Sequence, residues 1–392
     1  MSVEYRPFLP RVEMVIPISF AGHHHYTAEL CSHLLDSGIA GEIELLSIFS
    51  HQSVEMDLLP SGMRFFVISP KYPSRVYRLL VTMRNQMEYT IKLISRRPHV
   101  VHIQSPSGWT WYDLFMIAIY RLLRIPTVRT VHEVTLERMR PVGKFERWAE
   151  SCKLRMMDKL IVHNTAMKRS LVSGRIKSPK DIAVIPHGNY LMFRRYMPYD
   201  EIPSRDGALP TLLFFGFRRH KGLEYFVEAV RQLYREGHRF RSVVAGYVNP
   251  VDDVDMVALC ETVPEIELVP GYIPNEGMWE HFVDCDAVVM PYIKGTTSGA
   301  IHLSYAFEKP PIVSDLECFE EAVIPGKTAL VVPRGTVGPL KRAILSLIED
   351  PERGKAMGKM GYELERSARW DWSEIARATG NVYREIIYRK RP

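Results

Sequence analysis

Cysteine is scarce in this chain and never paired. Cys31, Cys152, Cys260, Cys285 and Cys318 are scattered through 392 residues with no Cys-x-x-Cys unit. Neither a disulfide framework nor a zinc site is expected, and a reducing, cytosolic compartment fits. Long apolar runs are missing too. The most apolar stretch, Leu114 to Leu123, is interrupted by Arg121 and is too short to cross a bilayer. Arg6 and Arg11 are followed by no apolar h-region, so no secretory signal is expected. What is present is ordinary globular composition, 46% hydrophobic and 24% charged, at a length that suits two or three domains. Charge is shared unevenly. Residues 1–200 carry 27 Lys and Arg against 17 Asp and Glu, whereas the remainder carries 24 against 28. The basic half is the candidate for an acidic partner.

Short apolar strands alternate with helical segments along the whole chain. In the first half they are Val12–Ile18, Ile43–Ile48, Arg64–Ile68, Val100–Gln104, Thr127–Val131, Lys159–Val162 and Ile182–Ile185. After the first strand, Ser19-Phe20-Ala21-Gly22 reads as a glycine loop and Tyr26–Leu35 as a helix. A polar connection from Met197 to Pro210, bearing three prolines, has no apolar periodicity and reads as the domain boundary. The rhythm then restarts with Leu212–Phe215, Ser242–Ala245, Glu267–Val269, Ala287–Met290, Pro311–Val313 and Ala329–Val332. This pattern predicts an α/β fold of two Rossmann-like, doubly wound domains facing a central cleft.

The stretch Thr211 to Leu223 delivers Arg218, Arg219, His220 and Lys221 to a strand-to-helix turn between Gly216 and Gly222. The helix that follows shows Leu223, Phe226, Val227, Val230 and Leu233 on one face. Cations beside a helix N-terminus at such a turn suit a phosphate or diphosphate. From Pro73 to Arg97, Val76, Leu79, Leu80, Met83, Met87, Ile91 and Ile94 share one helical face flanked by arginines. Two readings stand for residues 73–97: a helix on an anionic membrane surface, or a core-facing helix with a basic outer side.

The chain resembles glycosyltransferase family 4, retaining nucleotide-sugar-dependent enzymes of GT-B fold. The resemblance lies in Ala21-Gly22, Thr130-Val131-His132-Glu133, Val184 to Asn189, Leu213 to Leu223, Val269 to Pro274, Lys309 to Asp315 and Gly326 to Pro333. It implies an acceptor domain over residues 1–197 and a nucleotide-sugar domain over 198–372. The last helix, about 373–392, would pack back onto the first domain.

It also implies roles. His132, Arg218 and Lys221 would be catalytic, the two cations stabilising the leaving diphosphate. Gly216, Arg219, Thr297, Ser298 and Gly299 would complete the diphosphate site, small residues letting backbone amides reach phosphate oxygens. Gly271, Tyr272, Ile273 and His302 would border the nucleobase and ribose, and Gly22, His23 and Trp109 the acceptor. Trp109 and Trp111 suit stacking on a sugar or lipid, or a core position. The sequence departs from the family at Gly295 and Leu303, where many members carry glutamates; Lys294 and His302 are the candidate replacements. The run His23-His24-His25, read as an extended loop, points its rings in alternating directions and is not expected to hold a metal. Asp284-Cys285-Asp286 and Asp253-Val254-Asp255 imitate a cation-binding motif; the first stands on the wrong edge of its strand.

The expected activity is transfer of a hexosyl group from a UDP- or GDP-sugar to a lipid-linked or polysaccharide acceptor. No permanent cofactor, metal or nucleic acid is expected, and the location is cytoplasmic, peripheral to the inner membrane face. The rivals are a nucleotide-sugar 2-epimerase of the same architecture and a non-enzymatic protein binding acidic lipid or nucleic acid.

Overall fold

In β1 (Arg11–Val15) neighbouring side chains enter two different cores: Val12 and Met14 one, Val15 the other. Burial on both faces is what a central parallel strand requires. A computed structural model describes residues 9–16, 21–49, 59–60, 63–69, 74–134, 143–198, 208–250, 252–295 and 298–390. Ser19, Phe20, Thr296, Thr297 and most of the Met197–Pro210 connection lie outside the described residues.

The chain folds as two units. In the first, β1 is followed by α1 (Ala21–Asp36), β2 (Glu42–Phe49), β3 (Arg64–Ser69), α2 (Arg75–Ser95), β4 (Val100–Ile103), α3 (Thr110–Leu122), β5 (Thr127–Val131), α4 (Lys144–Met156), β6 (Lys159–Val162), α5 (Thr165–Ser173) and β7 (Ile182–Val184). The strands form one parallel sheet in the order β3-β2-β1-β4-β5-β6-β7. The order reverses between β1 and β4, and there a doubly wound sheet opens at its carboxyl edge.

The second unit runs β8 (Thr211–Phe215), α6 (Leu223–Arg235), β9 (Arg241–Gly246), α7 (Val254–Glu261), β10 (Ile266–Pro270), α8 (Met278–Val283), β11 (Ala287–Met290), α9 (Gly299–Ala306), β12 (Pro311–Ser314), α10 (Glu317–Glu320), β13 (Leu330–Val332), α11 (Val337–Glu349) and α12 (Pro351–Glu365). Its parallel sheet has the order β10-β9-β8-β11-β12-β13, reversing between β8 and β11. The α6 face named from the sequence is fully buried: Leu223, Phe226, Val227, Val230 and Leu233 are each 0% exposed. The last helix, α13 (Trp372–Lys390), belongs to the first unit, where Ile375, Val382, Tyr383 and Ile386 pack into the core lined by α1.

Two readings of the sequence change here. The histidine run is not an extended loop, because α1 already begins at Ala21 and carries Gly22 and His23 to His25 in its opening turns. No apolar period marks that stretch, so its helicity comes from packing: Tyr26, Leu30 and Leu34 are wholly buried. The change of unit also comes earlier than Met197. Asn189 and the short helical turn Leu191–Tyr196 pack with the second unit, the Tyr190 amide donating to Glu365 at 2.9 Å.

Candidate active site

At the carboxyl edge of the first sheet, four histidines converge. His132 follows β5 and His163 follows β6, and the register pairs Val131 with Val162, so the two imidazoles emerge side by side. His132 Nδ1 and His163 Nε2 are 3.0 Å apart. His163 Nδ1 donates to the Ile185 carbonyl at 3.2 Å, and His132 Nε2 faces the Gln104 side-chain amide at 3.3 Å. His23, from the first turn of α1, stacks on His132 with ring centroids 4.4 Å apart. The Tyr26 ring lies 5.0 Å from His132 and 5.2 Å from each of His163, His187 and Trp372.

Burial disfavours the charged form of two of these rings. Burial first, then the neighbouring His23, His163, His187 and His102, hold His132 well below the usual imidazole range. Burial alone lowers His23 to about 4. A neutral imidazole beside a switch point can bond a sugar hydroxyl and polarise it without carrying a fixed charge. His24 and His25 are buried as well. Trp109 caps the start of α3 and is half exposed, and Trp111 is more exposed still; neither is core.

The second unit builds a cationic corner at its own switch point. Lys221 Nζ donates to the Phe215 carbonyl at 2.8 Å, lying 5.9 Å from the Phe215 ring and 5.7 Å from that of Tyr292, just beyond β11. Arg218 pairs with the buried Asp253 carboxylate at 2.7 Å. The Ile293 and Lys294 amides donate to the His220 carbonyl at 2.9 and 3.3 Å, stitching the β8 loop to the β11 loop. Gly222 is required there: its φ is +75°, and a Cβ would stand 2.0 Å from the Pro291 carbonyl oxygen. Arg219 points outward, 61% exposed, to Glu224 and Asp255.

Ser298 and Gly299 open α9 on the other side. Ser298 Oγ donates to the Tyr292 hydroxyl at 3.3 Å, so Tyr292 touches both the lysine wall and the helix start. Gly299 has no room for a side chain, since a Cβ would meet the Tyr190 hydroxyl at 2.8 Å. Thr297 lies outside the described residues. His302 is 3% exposed, its Nδ1 2.9 Å from the fully buried Glu365. It clips α9 to α12. Leu303 is buried and Lys294 exposed.

Beside the cations the sheet edge is flat. The Gly216 amide donates to the Ala245 carbonyl at 2.7 Å, and the Gly271 amide to the Gly246 carbonyl at 3.0 Å. Tyr247 and Tyr272 stand exposed on this shelf, with Arg218 5.9 Å from the Tyr247 ring; Ile273 follows, partly buried. Tyr247 and His163 were not singled out from sequence, and Asp253 was read only as part of a cation-binding mimic. The signal was there, as repetition. Adjacent strands end in Gly216-Phe217, Gly246-Tyr247 and Gly271-Tyr272, and in the first unit in Val131-His132 and Val162-His163.

The paired acids are engaged. Asp253 and Asp255 bond Arg218 and Arg219, Asp284 accepts from Arg241, and Asp286 accepts from the Thr211 amide. Among the described residues no group of three or more His, Cys, Asp or Glu is placed to hold a metal ion.

Two doubly wound sheets, each with a switch point, define the fold class as GT-B. Anabaena HepE solved with UDP and glucose superposes with a TM-score of 0.75 at 12% identity, covering 96% of this chain and 100% of that one. Sucrose-phosphate synthase from Thermosynechococcus elongatus does so with a TM-score of 0.73 at 18% identity, covering 97% and 100%. The family model for Glycosyltransferase Family 4 matches residues 20–189, and that for Glycosyl transferases group 1 matches residues 209–350. The chain belongs to glycosyltransferase family 4 and is a hexosyltransferase. Among curated relatives, the alpha-D-kanosaminyltransferase of Streptomyces kanamyceticus is 22% identical over 79% of this chain and 82% of its own length. The D-inositol 3-phosphate glycosyltransferase of Kineococcus radiotolerans is 25% identical over 59% and 58%.

Proposed function

We propose that this enzyme moves a hexosyl group, with retention of anomeric configuration, from a UDP- or GDP-sugar to a lipid-linked or polysaccharide acceptor. The work is assigned to cell-envelope or exopolysaccharide synthesis on the cytoplasmic side of a membrane. One observation carries the donor assignment: Arg218, Lys221 and the start of α9 border a single switch point around Tyr292. Uridine is favoured over guanosine because the structurally similar HepE was solved with UDP and with UDP-glucose.

In this reading Arg218 and Lys221 neutralise charge as it develops on the leaving diphosphate, the strongest stabilisation of the transition state on offer where no side chain acts as nucleophile. The acceptor oxygen attacks the anomeric carbon from the face the diphosphate leaves. The glycosidic bond to phosphate breaks, and the acceptor proton passes to the departing phosphate oxygen. Neutral His132 is assigned a hydrogen bond to a sugar hydroxyl. No metal is assigned a step.

A thermal-shift panel of UDP, GDP, ADP and their glucose conjugates tests the donor, since a bound nucleotide raises Tm by mass action. Incubation with the best radiolabelled donor then tests the reaction. Label appearing in glycan or lipid supports transfer, whereas an epimerised donor with no transfer overturns it.

A further inference from the structure

Helix α2 is built inside out. Its sheet-facing side is mostly polar: Asn85 Nδ2 donates to the Val67 carbonyl at 3.0 Å, Tyr89 OH donates to Glu13, and Lys92 pairs with Glu44. Only Tyr89 and Leu93 of its 21 residues are buried. The apolar stripe read from the sequence points the other way. Val76, Leu80, Met83, Met87, Ile91 and Ile94 are between 57% and 69% exposed. The core-facing alternative for this helix is therefore corrected: polar bonds, not the stripe, attach it.

The next two helices repeat the arrangement. Tyr112 OH and Met116 Sδ of α3 bond Gln86, holding α3 against α2, while Trp111, Phe115 and Leu122 stand outward at 71%, 53% and 83% exposure. On α4, exposed Phe145 lies 5.4 Å from the Trp111 ring and 5.8 Å from that of exposed Trp148. Exposed apolar side chains thus run across three neighbouring helices, which marks an interaction surface. Arg75, Arg78, Arg84 and Lys144 are exposed on the same helices and Arg124 just beyond the end of α3, with few exposed acids beside them.

We propose that this face seats the first unit on an anionic phospholipid bilayer. Aliphatic side chains would enter the acyl boundary, tryptophans would sit at headgroup depth, and the arginines would reach lipid phosphates. A second copy of the chain is disfavoured, because a two-fold contact would set this basic rim against itself. The proposal rests on the lipid-linked reading of the acceptor only for its purpose, since seating is measured without any transfer.

The test is vesicle flotation with the full chain, comparing phosphatidylcholine alone with phosphatidylcholine containing phosphatidylglycerol. Wild type is expected to float with the anionic vesicles and to dissociate as salt rises from about 0.1 M to about 0.5 M. The Leu80→Glu, Met83→Glu, Met87→Glu triple variant and the Trp111→Ser, Phe115→Ser double variant should each float at least roughly tenfold less. Both must keep the wild-type far-UV spectrum and Tm. Failure of wild type to float on anionic vesicles overturns the proposal, as does equal flotation of both variants. A wild-type dimer that the triple variant makes monomeric, with no vesicle binding, also overturns it and assigns the face to self-association. None of these outcomes alters the nucleotide panel, so the two readings fail separately.

Discussion

His132 Nδ1 and His163 Nε2 share one proton across 3.0 Å, and the direction of that bond is fixed from behind. His163 spends its own Nδ1 proton on the Ile185 carbonyl, so as a neutral ring its Nε2 can only accept. His132 therefore donates through Nδ1, while its Nε2 lies 3.3 Å from the Gln104 side-chain oxygen. Replacing His132 with Ala should lower kcat by roughly a hundredfold, the order expected for losing one positioned hydrogen bond to the transition state. His163→Phe, which removes the acceptor and keeps the bulk, should lower kcat by about tenfold with little change in KM. Steady-state kinetics on both variants decide the matter; an unchanged His163→Phe sinks the tautomer argument.

Loss of Lys221 should be felt most in chemistry. Lys221→Ala removes the cation nearest the β8 carbonyl end and should reduce kcat by about a hundredfold or more. Arg218→Ala should act similarly. Asp253→Asn, which frees Arg218 from its 2.7 Å partner, should mainly raise KM for the donor. Single-turnover transfer with a labelled donor separates the binding and chemical effects.

Acid should unfold the first unit early. His23 is lowered from 6.5 to about 4 and His102 from 6.5 to about 3, both through burial. The unfolded chain takes up these protons first, so stability is lost as pH falls from 6.5 toward 4. Glu13 has the opposite sign. Burial raises it from 4.5 to about 7, so its contribution is present below 4.5 and lost as pH rises through 7. Glu13→Gln should raise Tm at pH 8 and leave the acid limb unchanged. Tm measured across pH 4 to 8 on both proteins checks each sign.

Two buried groups in the second unit hang on one carboxylate. Glu365→Ala leaves the Tyr190 amide and His302 Nδ1 without that acceptor and should cost about 2–4 kcal/mol in urea unfolding. Glu365→Gln keeps an acceptor oxygen and should cost about half as much.

The strand positions in both halves were legible because short apolar runs separated by turn residues leave little choice in an α/β chain. The basic loop after β8 was legible too, since a strand, a glycine and four cationic or titratable residues stand close together. Which way α2 faces was not. Periodicity gives the stripe at Leu80, Met83 and Met87, but only bonds from Asn85 and Tyr89 to distant strands show which side is inside. His163 was passed over because its meeting with His132 depends on the β5–β6 register, a pairing between residues far apart in sequence. Glu365 could not be matched with His302 for the same reason: 63 residues separate them.

The place of α13 in the first unit sets an order of events during synthesis. Tyr383, whose hydroxyl lies 2.7 Å from His102 Nδ1, and Trp372, against which Gly188 packs with no space for a Cβ, emerge from the ribosome after the entire second unit. The second unit can complete its core as soon as α12 is made, while the α1 side of the first waits uncovered. A ribosome stalled before Trp372 would hold one finished unit and one unfinished, which makes the nascent first unit the species most in need of a chaperone.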